Sequence, residues 1–574
     1  MRERIAMYTY DTILRALEGS VPGIFTRQVT DASRADDGAF ISPDLGCPAP
    51  THTGHSHDLA RLCYLFMADG SSLQGDGELF ARIDSALSFL RRWQRPSGLV
   101  DGVVSNWESP NATAFTVQLL APIVSLAREQ DADEQAGHIA RELGEYVRSA
   151  AVAVIGRGFH TPNHRWVICS ALAQAMTLFP EIPALTYVDQ ILAEGVDVNE
   201  DGQFSERSAG IYNAACDRSL RLMADHLGRP ELLEPVRRNL KMMVHLFHPD
   251  WTVVTGMSGR QDRGQRLVPV RIADSFYDMA HRDRNGVFAS VADALVESAE
   301  EPPAHAWLLH PFVAHPEYRE RPLEREIPPR DYSRPYPASQ LWRVRRGAMS
   351  ATAIGGRRTS FGLRYAEVEL QAVKVYETFY NTPTFETDTF EAVDGGVRLT
   401  HRGREDRQRR FDLPLGRAVP VDGFYEVQAE RQHLALPPFD ISLEIAEVAG
   451  GFDLRLQTHE ALERTIFQLE CCFCGPGEWE TEGQVIEVQN GQTALLKQGH
   501  GVFRRGDSAI RIGPGASAHR MWHMRGAEPE TDSFRVVVAL QAPVDHRLEV
   551  RCGRWSAASG ALVDYSPAGD SEGA

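Results

Sequence analysis

The sequence predicts a multidomain α + β protein: a helical half followed by a large antiparallel β half. Three observations predict it. Apolar residues recur at threes and fours up to about residue 309, they alternate at twos beyond about residue 339, and prolines crowd the interval between. The 574 residues, 43% hydrophobic and 24% charged, allow two or three buried cores rather than one and exclude disordered and collagen-like classes.

In the first half the helical period is carried by Leu87, Leu90 and Trp93, by Val117, Leu120 and Leu126, by Val167, Leu172, Ala175 and Leu178, and by Leu220, Met223 and Leu227. Stop signals follow at Gly98, at Gly156 and Gly158, at Gly202 and at Gly228-Arg229-Pro230, so a bundle or toroid of medium-length helical hairpins is expected over 1–315. Prolines 311, 316, 322, 328, 329, 335 and 337 argue against a continuous helix or strand, and 316–338 reads as a linker. Period-two segments follow at Gln340–Arg346, Val368–Tyr376, Gly396–His401, Phe452–Gln457 and Phe534–Leu540, which makes 339–565 an antiparallel β-sandwich. The tail 566–574, rich in Ser, Pro, Gly and acids, is expected to be disordered.

Lys and Arg total 60 against 78 Asp and Glu, a net charge of −18, and lysine occurs only at Lys241, Lys374 and Lys497. Such a field repels nucleic acid and anionic membranes at long range unless a local cationic site overrides it. Arginine richness fits either a compositional bias of the source or a need for bidentate carboxylate recognition. No uninterrupted apolar run approaches a membrane span, and the start, Met-Arg-Glu-Arg-Ile-Ala-Met-Tyr, shows no secretory pattern, so the expected compartment is the cytoplasm. The eight cysteines are too sparse for a disulfide framework. Cys471-Cys472-Phe473-Cys474 lies in a strand-like run whose side chains alternate faces, which favours buried thiols over a metal site.

Three polar groups break the helical half. The first, Phe159 to Trp166, places Asn163 and His164 at the start of an apolar helix; Asn163 is read either as a helix cap or as an amide donor to a carboxylate, with His164 as a neutral proton acceptor. The second, Val198 to Asn213, is an Asp201-Gly202 turn running into a helix that carries Glu206, Arg207, Tyr212 and Asn213. The third, Val254 to Arg271, has Arg260, Arg263, Arg266 and Arg271 against Asp262 alone, a local charge of +3.

Together these groups resemble the heparinase II/III-like polysaccharide lyases and their alginate-lyase relatives. The resemblance rests on Asn163-His164 opening a helix and on Asp201-Gly202-Gln203-Phe204-Ser205-Glu206 followed by Tyr212. The run Thr255 to Arg263 is also similar to a segment of the hyaluronate and chondroitin lyases. The resemblance implies an (α/α) toroid carrying the catalytic cleft, followed by the sandwich, and cleavage of uronic-acid glycans by β-elimination. One departure stands out: the His-x-His-x-Asp segment of those relatives has no counterpart in Phe361–Val375, so another histidine such as His401 fills that role or the chemistry is confined to the toroid.

On this reading Tyr212, His164 and Asn163 are catalytic. Arg260, Glu206, Arg207, Trp107, Asn111, His160 and Gln261 are the substrate-binding candidates. Elimination removes the C5 proton of a uronate and expels the oxygen at C4, which calls for a base, an acid and donors that neutralise the carboxylate. It requires no cofactor; a structural divalent metal in the sandwich is left open, as is oligomeric state. The expected partner is an acidic oligosaccharide. The alternatives are a glycoside hydrolase of uronides using Asp201 with Glu206 or Glu108 with Asp262, a uronyl C5-epimerase, and a non-catalytic glycan-binding protein using Trp93, Trp107, Trp166 and Trp251 as platforms.

Overall fold

In this computed structural model, which describes residues 7–130, 132–379, 382–402, 411–434, 439–459, 463–524, 527, 532–556 and 558–564, the chain divides into two compact units, Met1–Pro328 and Pro329–Ala574. The expected disordered tail at 566–574 lies outside the described residues.

The first unit contains, among its described residues, twelve α-helices: α1 (Tyr10–Thr26), α2 (His55–Met67), α3 (Gly77–Trp93), α4 (Pro110–Glu129), α5 (Glu134–Val154), α6 (Pro162–Leu178), α7 (Leu185–Leu192), α8 (Tyr212–Leu227), α9 (Leu233–Leu246), α10 (Ala273–Asp283), α11 (Gly286–Glu297) and α12 (Ala306–Ala314). The even-numbered helices pack on one another in succession, and α12 returns to α2, closing an inner ring; the odd-numbered helices lie outside it. Composition explains the two layers. Outer α3 buries a stripe through Leu79, Ile83, Leu87 and Leu90 and leaves Arg91 and Arg92 in water, whereas inner α6 is buried continuously from Trp166 to Ala175.

Inner helices α4, α6 and α8 run in one direction: near their C-termini Arg128 of α4 donates to the Leu178 carbonyl of α6 (2.8 Å), and Thr177 Oγ1 of α6 lies 3.0 Å from His226 Nδ1 of α8. Gln118 on α4 donates from Nε2 to Ser170 Oγ on α6 (2.5 Å) and to Ser219 Oγ on α8 (2.9 Å), residues at matching depth in their helices. The N-termini of these helices therefore gather at one end of the ring, where backbone N–H groups and the positive ends of the helix dipoles face the same space. Helix α4 is long and apolar enough to cross a bilayer by length and composition, and 67% of that window is buried inside the protein.

The second unit is two sheets over one core. The larger, with ten strands among the described residues, centres on Asp545–Ser556 between Ser508–Gly513 and Gly451–His459; the other, with nine, centres on Val368–Phe379 between Ile466–Phe473 and Phe361–Tyr365. Described strand pairings are antiparallel except Thr493–Leu495 on Phe534–Gln541. Alternation directs Phe361, Val373 and Leu469 of one sheet and Leu443, Leu454 and Val550 of the other into a shared core. The stretch expected to lack regular structure holds the strand Asp331–Tyr336, which includes Pro335. Among the described residues it pairs only with Leu341–Arg346 at the sheet's end, and an edge strand tolerates a residue without an N–H. Cys471 faces the core and burial pushes its thiol pKa up; Cys472 is buried too, and Cys474 follows the strand end half-buried.

Candidate functional site

The site is built at the N-terminal ends of α6 and α8. Thr161 caps α6 in extended backbone, Pro162 opens the helix with no N–H to lose, and Asn163 falls on its first turn with a fully buried side chain. Asn163 does not act as a cap. Its Nδ2 donates to Glu206 Oε2 (2.7 Å) and to Thr161 Oγ1 (3.0 Å), and its backbone N–H reaches the same Glu206 oxygen (3.3 Å), while its Oδ1 is buried without a hydrogen-bond partner. Because a carboxylate only accepts, this amide orientation is fixed by Glu206.

The expected helix through Glu206 and Arg207 is not formed. Phe204 bridges to Val198, residues 205–211 are turns and irregular loop, and α8 begins at Tyr212. Arg207 sits at φ 55, and this left-handed residue reverses the chain between Glu206 and Ser208. Asp262, fully buried, organises the loop from beneath: its Oδ1 accepts from Ser208 Oγ (2.9 Å) and Ser258 Oγ (2.5 Å), and its Oδ2 accepts from the Gly210 N–H (2.9 Å). Only glycine fits at 210, because a Cβ there would lie 2.8 Å from Asp262 Oδ2. Ser208 Oγ in turn accepts from the Tyr212 N–H (3.2 Å) and Ser258 Oγ from the Arg260 N–H (3.0 Å). One carboxylate thus holds the two loops that present Tyr212 and Arg260.

Arg260 joins the parts. Its Nη1 lies 3.4 Å from Glu206 Oε1, its Nη2 donates to the Tyr212 hydroxyl (3.3 Å), and its guanidinium sits 4.7 Å over the Tyr212 ring. Burial raises the Glu206 pKa against the lowering effects of Asn163 and Arg260. Half-buried His164 has its pKa pushed down to about 4, by burial first and then by Arg260 and His160, so its imidazole is neutral at pH 7; its Nδ1 is buried without a hydrogen-bond partner.

Of the residues singled out in sequence, Asn163, Glu206, Arg260 and Tyr212 form one bonded chain with His164 alongside. Arg207 is in the same turn. Asn111 belongs to a repeat of the α6 start: Ser109-Pro110-Asn111 opens α4 as Thr161-Pro162-Asn163 opens α6, and both polar atoms of the buried Asn111 amide lack hydrogen-bond partners. That repeat was a readable signal the sequence analysis missed. His160 is exposed, close enough to His164 to influence its charge. Gln261 is exposed, and its backbone carbonyl accepts from Gln265. Trp107 is 70% exposed on the hairpin before α4, under Arg95 at 5.9 Å. Trp166 is no platform: it is fully buried and donates to Asp197 (2.7 Å). The expected +3 of the arginine run is largely offset in space, since Glu206 faces Arg260 and Asp250 pairs with Arg266 at 2.5 Å. Both Asp262 oxygens are spent on the loop, which leaves none for a carboxylate pair with Glu108. In the second unit His401 is buried and donates from Nδ1 to the Glu386 carbonyl (2.8 Å). Among the described residues no three His, Cys, Asp or Glu side chains are arranged to hold a metal ion.

No family model matches this sequence, and no curated protein matches it. Solved structures do. The heparinase III product of the BT4657 gene superposes with a TM-score of 0.53 at 10% identity, covering 95% of this chain and 85% of that one. The fold is that of the heparinase III-like polysaccharide lyases. A second heparinase III structure gives 0.53 at 9% identity over 96% and 86% of the two chains. Paenibacillus xanthan lyase gives 0.53 at 10% identity over 94% of this chain, which spans 56% of the xanthan lyase. The agreement extends across both units, and the helical toroid followed by a β-sandwich expected from sequence is the architecture found.

Proposed function

We propose that this chain is a polysaccharide lyase that cleaves uronic-acid-containing glycans by β-elimination. The observation that carries the reading is the chain of contacts from Asn163 through Glu206 and Arg260 to Tyr212, in a fold shared with heparinase III. The uronate carboxylate docks against Asn163 and Arg260. One Asn163 N–H is committed to Glu206; the other points at Thr161 Oγ1, the bond a substrate carboxylate oxygen replaces. Glu206 fixes which way the amide faces, with its NH₂ toward Glu206 and Thr161. As the C5 proton leaves, charge spreads into that carboxylate and is met by preformed donors, an effect typically worth about 10²–10³ in rate for each donor.

Tyr212, or neutral His164, takes the proton. Where Tyr212 is the base, neutral His164 first accepts its phenol proton; the phenolate so formed is met by the Arg260 guanidinium, takes the C5 proton, and as the restored phenol gives that proton to the departing O4, each transfer worth about 10²–10⁴. The test is incubation with a panel of uronic-acid oligosaccharides while following the ultraviolet absorbance of an unsaturated uronate. Product absorbance supports elimination. New reducing ends without absorbance refute it in favour of hydrolysis, and an inverted C5 without cleavage refutes it in favour of epimerisation.

A further inference from the structure

A second cationic group lies at the helix N-termini of the same unit, and the elimination chemistry does not use it. Arg271, just before α10, is solvent-exposed, and among the described residues its side chain makes no ion pair or hydrogen bond; its backbone carbonyl accepts from Arg218 Nη2 (2.8 Å). Arg218 itself is balanced by Asp274 (2.8 Å) and stacks over Trp307 at 4.7 Å. Arg61 shares one carboxylate, Asp58, with Arg27, so that trio also carries an excess positive charge.

Between these cations stand three imidazoles. The rings of His57, on the first turn of α2, and His305, the cap of α12, are 4.2 Å apart; His52 stacks on Phe115 at 4.1 Å, and Phe115 meets His164 edge-on at 6.1 Å. His57 Nε2 accepts from the Ala306 N–H (3.3 Å) and His305 Nδ1 from the Trp307 N–H (3.4 Å). Each neutral ring therefore keeps its proton on the other nitrogen, as an N–H donor not used by its own helix start. Burial holds both imidazoles well below the ordinary histidine pKa, helped by Arg61 and Arg271 at His57 and by His57 and Arg271 at His305, and burial followed by Arg218 lowers that of Arg271. Arg271 is exposed and His57 and His305 are part-exposed, so a solute anion can reach all three.

We propose that Arg271, with the N–H groups of His57 and His305, forms a second oxyanion subsite that holds the carboxylate or sulfate of a sugar unit next to the one being cleaved. This rests on the lyase reading for its substrate, but not for the binding of an anion. The Phe115 ring stands between His52 of this group and His164 of the catalytic group, so the two sites are neighbours.

The test measures thermal stabilisation of the full chain by sodium sulfate and by sodium glucuronate against chloride at matched ionic strength, since an anion bound only by the folded state raises Tm. The wild type, Arg271→Lys and Arg260→Gln should all be stabilised, and Arg271→Gln should lose most of the effect. The stronger of the two salts identifies sulfate or carboxylate as the group held. On a cleaved oligosaccharide, Arg271→Gln should raise KM about 10- to 100-fold, as for a lost charge-assisted hydrogen bond, with kcat within about threefold. No anion-specific stabilisation of the wild type, or the same stabilisation in Arg271→Gln, overturns the subsite. Anion stabilisation that depends on Arg271 in a protein that eliminates no glycan leaves the subsite standing and refutes the lyase reading instead.

Discussion

Arg260→Gln removes a charge from the centre of the proposed site while keeping much of the side chain's shape. Arg260 faces Glu206 at 3.4 Å and the Tyr212 hydroxyl at 3.3 Å. A full phenolate charge at that distance interacts with the guanidinium by roughly 4–5 kcal/mol at an effective dielectric of about 20, so a half-developed charge keeps about 2–3 kcal/mol. Its loss lowers kcat/KM about 30- to 150-fold. Arg260→Lys, which restores the charge without the fork, should recover part of that. Initial rates of unsaturated-product formation give the comparison.

Stability supplies a second reading of the same variant. Glu206 is only 8% exposed and burial already raises its pKa; without Arg260 it rises further. A carboxyl whose folded pKa lies above its unfolded value contributes stability that is present at low pH and lost as pH rises through the folded pKa. The Tm deficit of Arg260→Gln should therefore be small near pH 5 and larger near pH 8. Wild-type kcat/KM in this variant, or a deficit that does not grow with pH, would refute the coupling of Arg260 to both partners.

Asn163→Ala should reduce kcat about 10²–10³-fold, the loss of a preformed donor, measured by the same assay. Asp262→Asn sets an amide N–H against the Gly210 or serine donors; it should cost roughly 1–3 kcal/mol in urea unfolding and lower activity through displacement of Tyr212 and Arg260. His55 is fully buried, accepts from the Phe40 N–H (3.1 Å), donates to the Ala86 carbonyl (3.0 Å), and has its pKa pushed down by burial to about 4. Its depressed folded pKa gives stability that is full above about pH 6.5 and lost as pH falls toward 4, about 2 kcal/mol by pH 5 from this residue alone, which His55→Gln should flatten in urea midpoints.

Periodicity carried most of the fold. The strand expected at Gly396–His401 is found at Gly396–Arg402, whose burial alternates over most of its length, and that at Phe534–Leu540 is found at Phe534–Gln541, a β-branched-rich run buried on both faces. What failed was local. Pro335 is compatible with a strand when only one side is paired, and pairing order is not written in a single segment. Residues 204–211 look helical by composition, but Asp262, more than fifty residues away, spends its oxygens on Ser208 and Gly210 and sets the turns. The clustering of Asn163, Tyr212 and Arg260 was legible as residue types. Their joining through Glu206 was not, because it depends on which way one buried amide faces.

The same long-range pairing decides how the arginines are to be read. Arg266 pairs with Asp250 and Arg260 with Glu206, whereas Arg271 keeps an unspent charge, a distinction invisible in a run that counts +3.

The most direct test of the account is Tyr212→Phe, assayed on a uronic-acid oligosaccharide that the wild type converts to an unsaturated product. The substitution deletes one hydroxyl and keeps the ring beneath Arg260. The account predicts a fall in kcat of about 10²-fold or more with substrate binding within a few-fold. Elimination at the wild-type rate would contradict it.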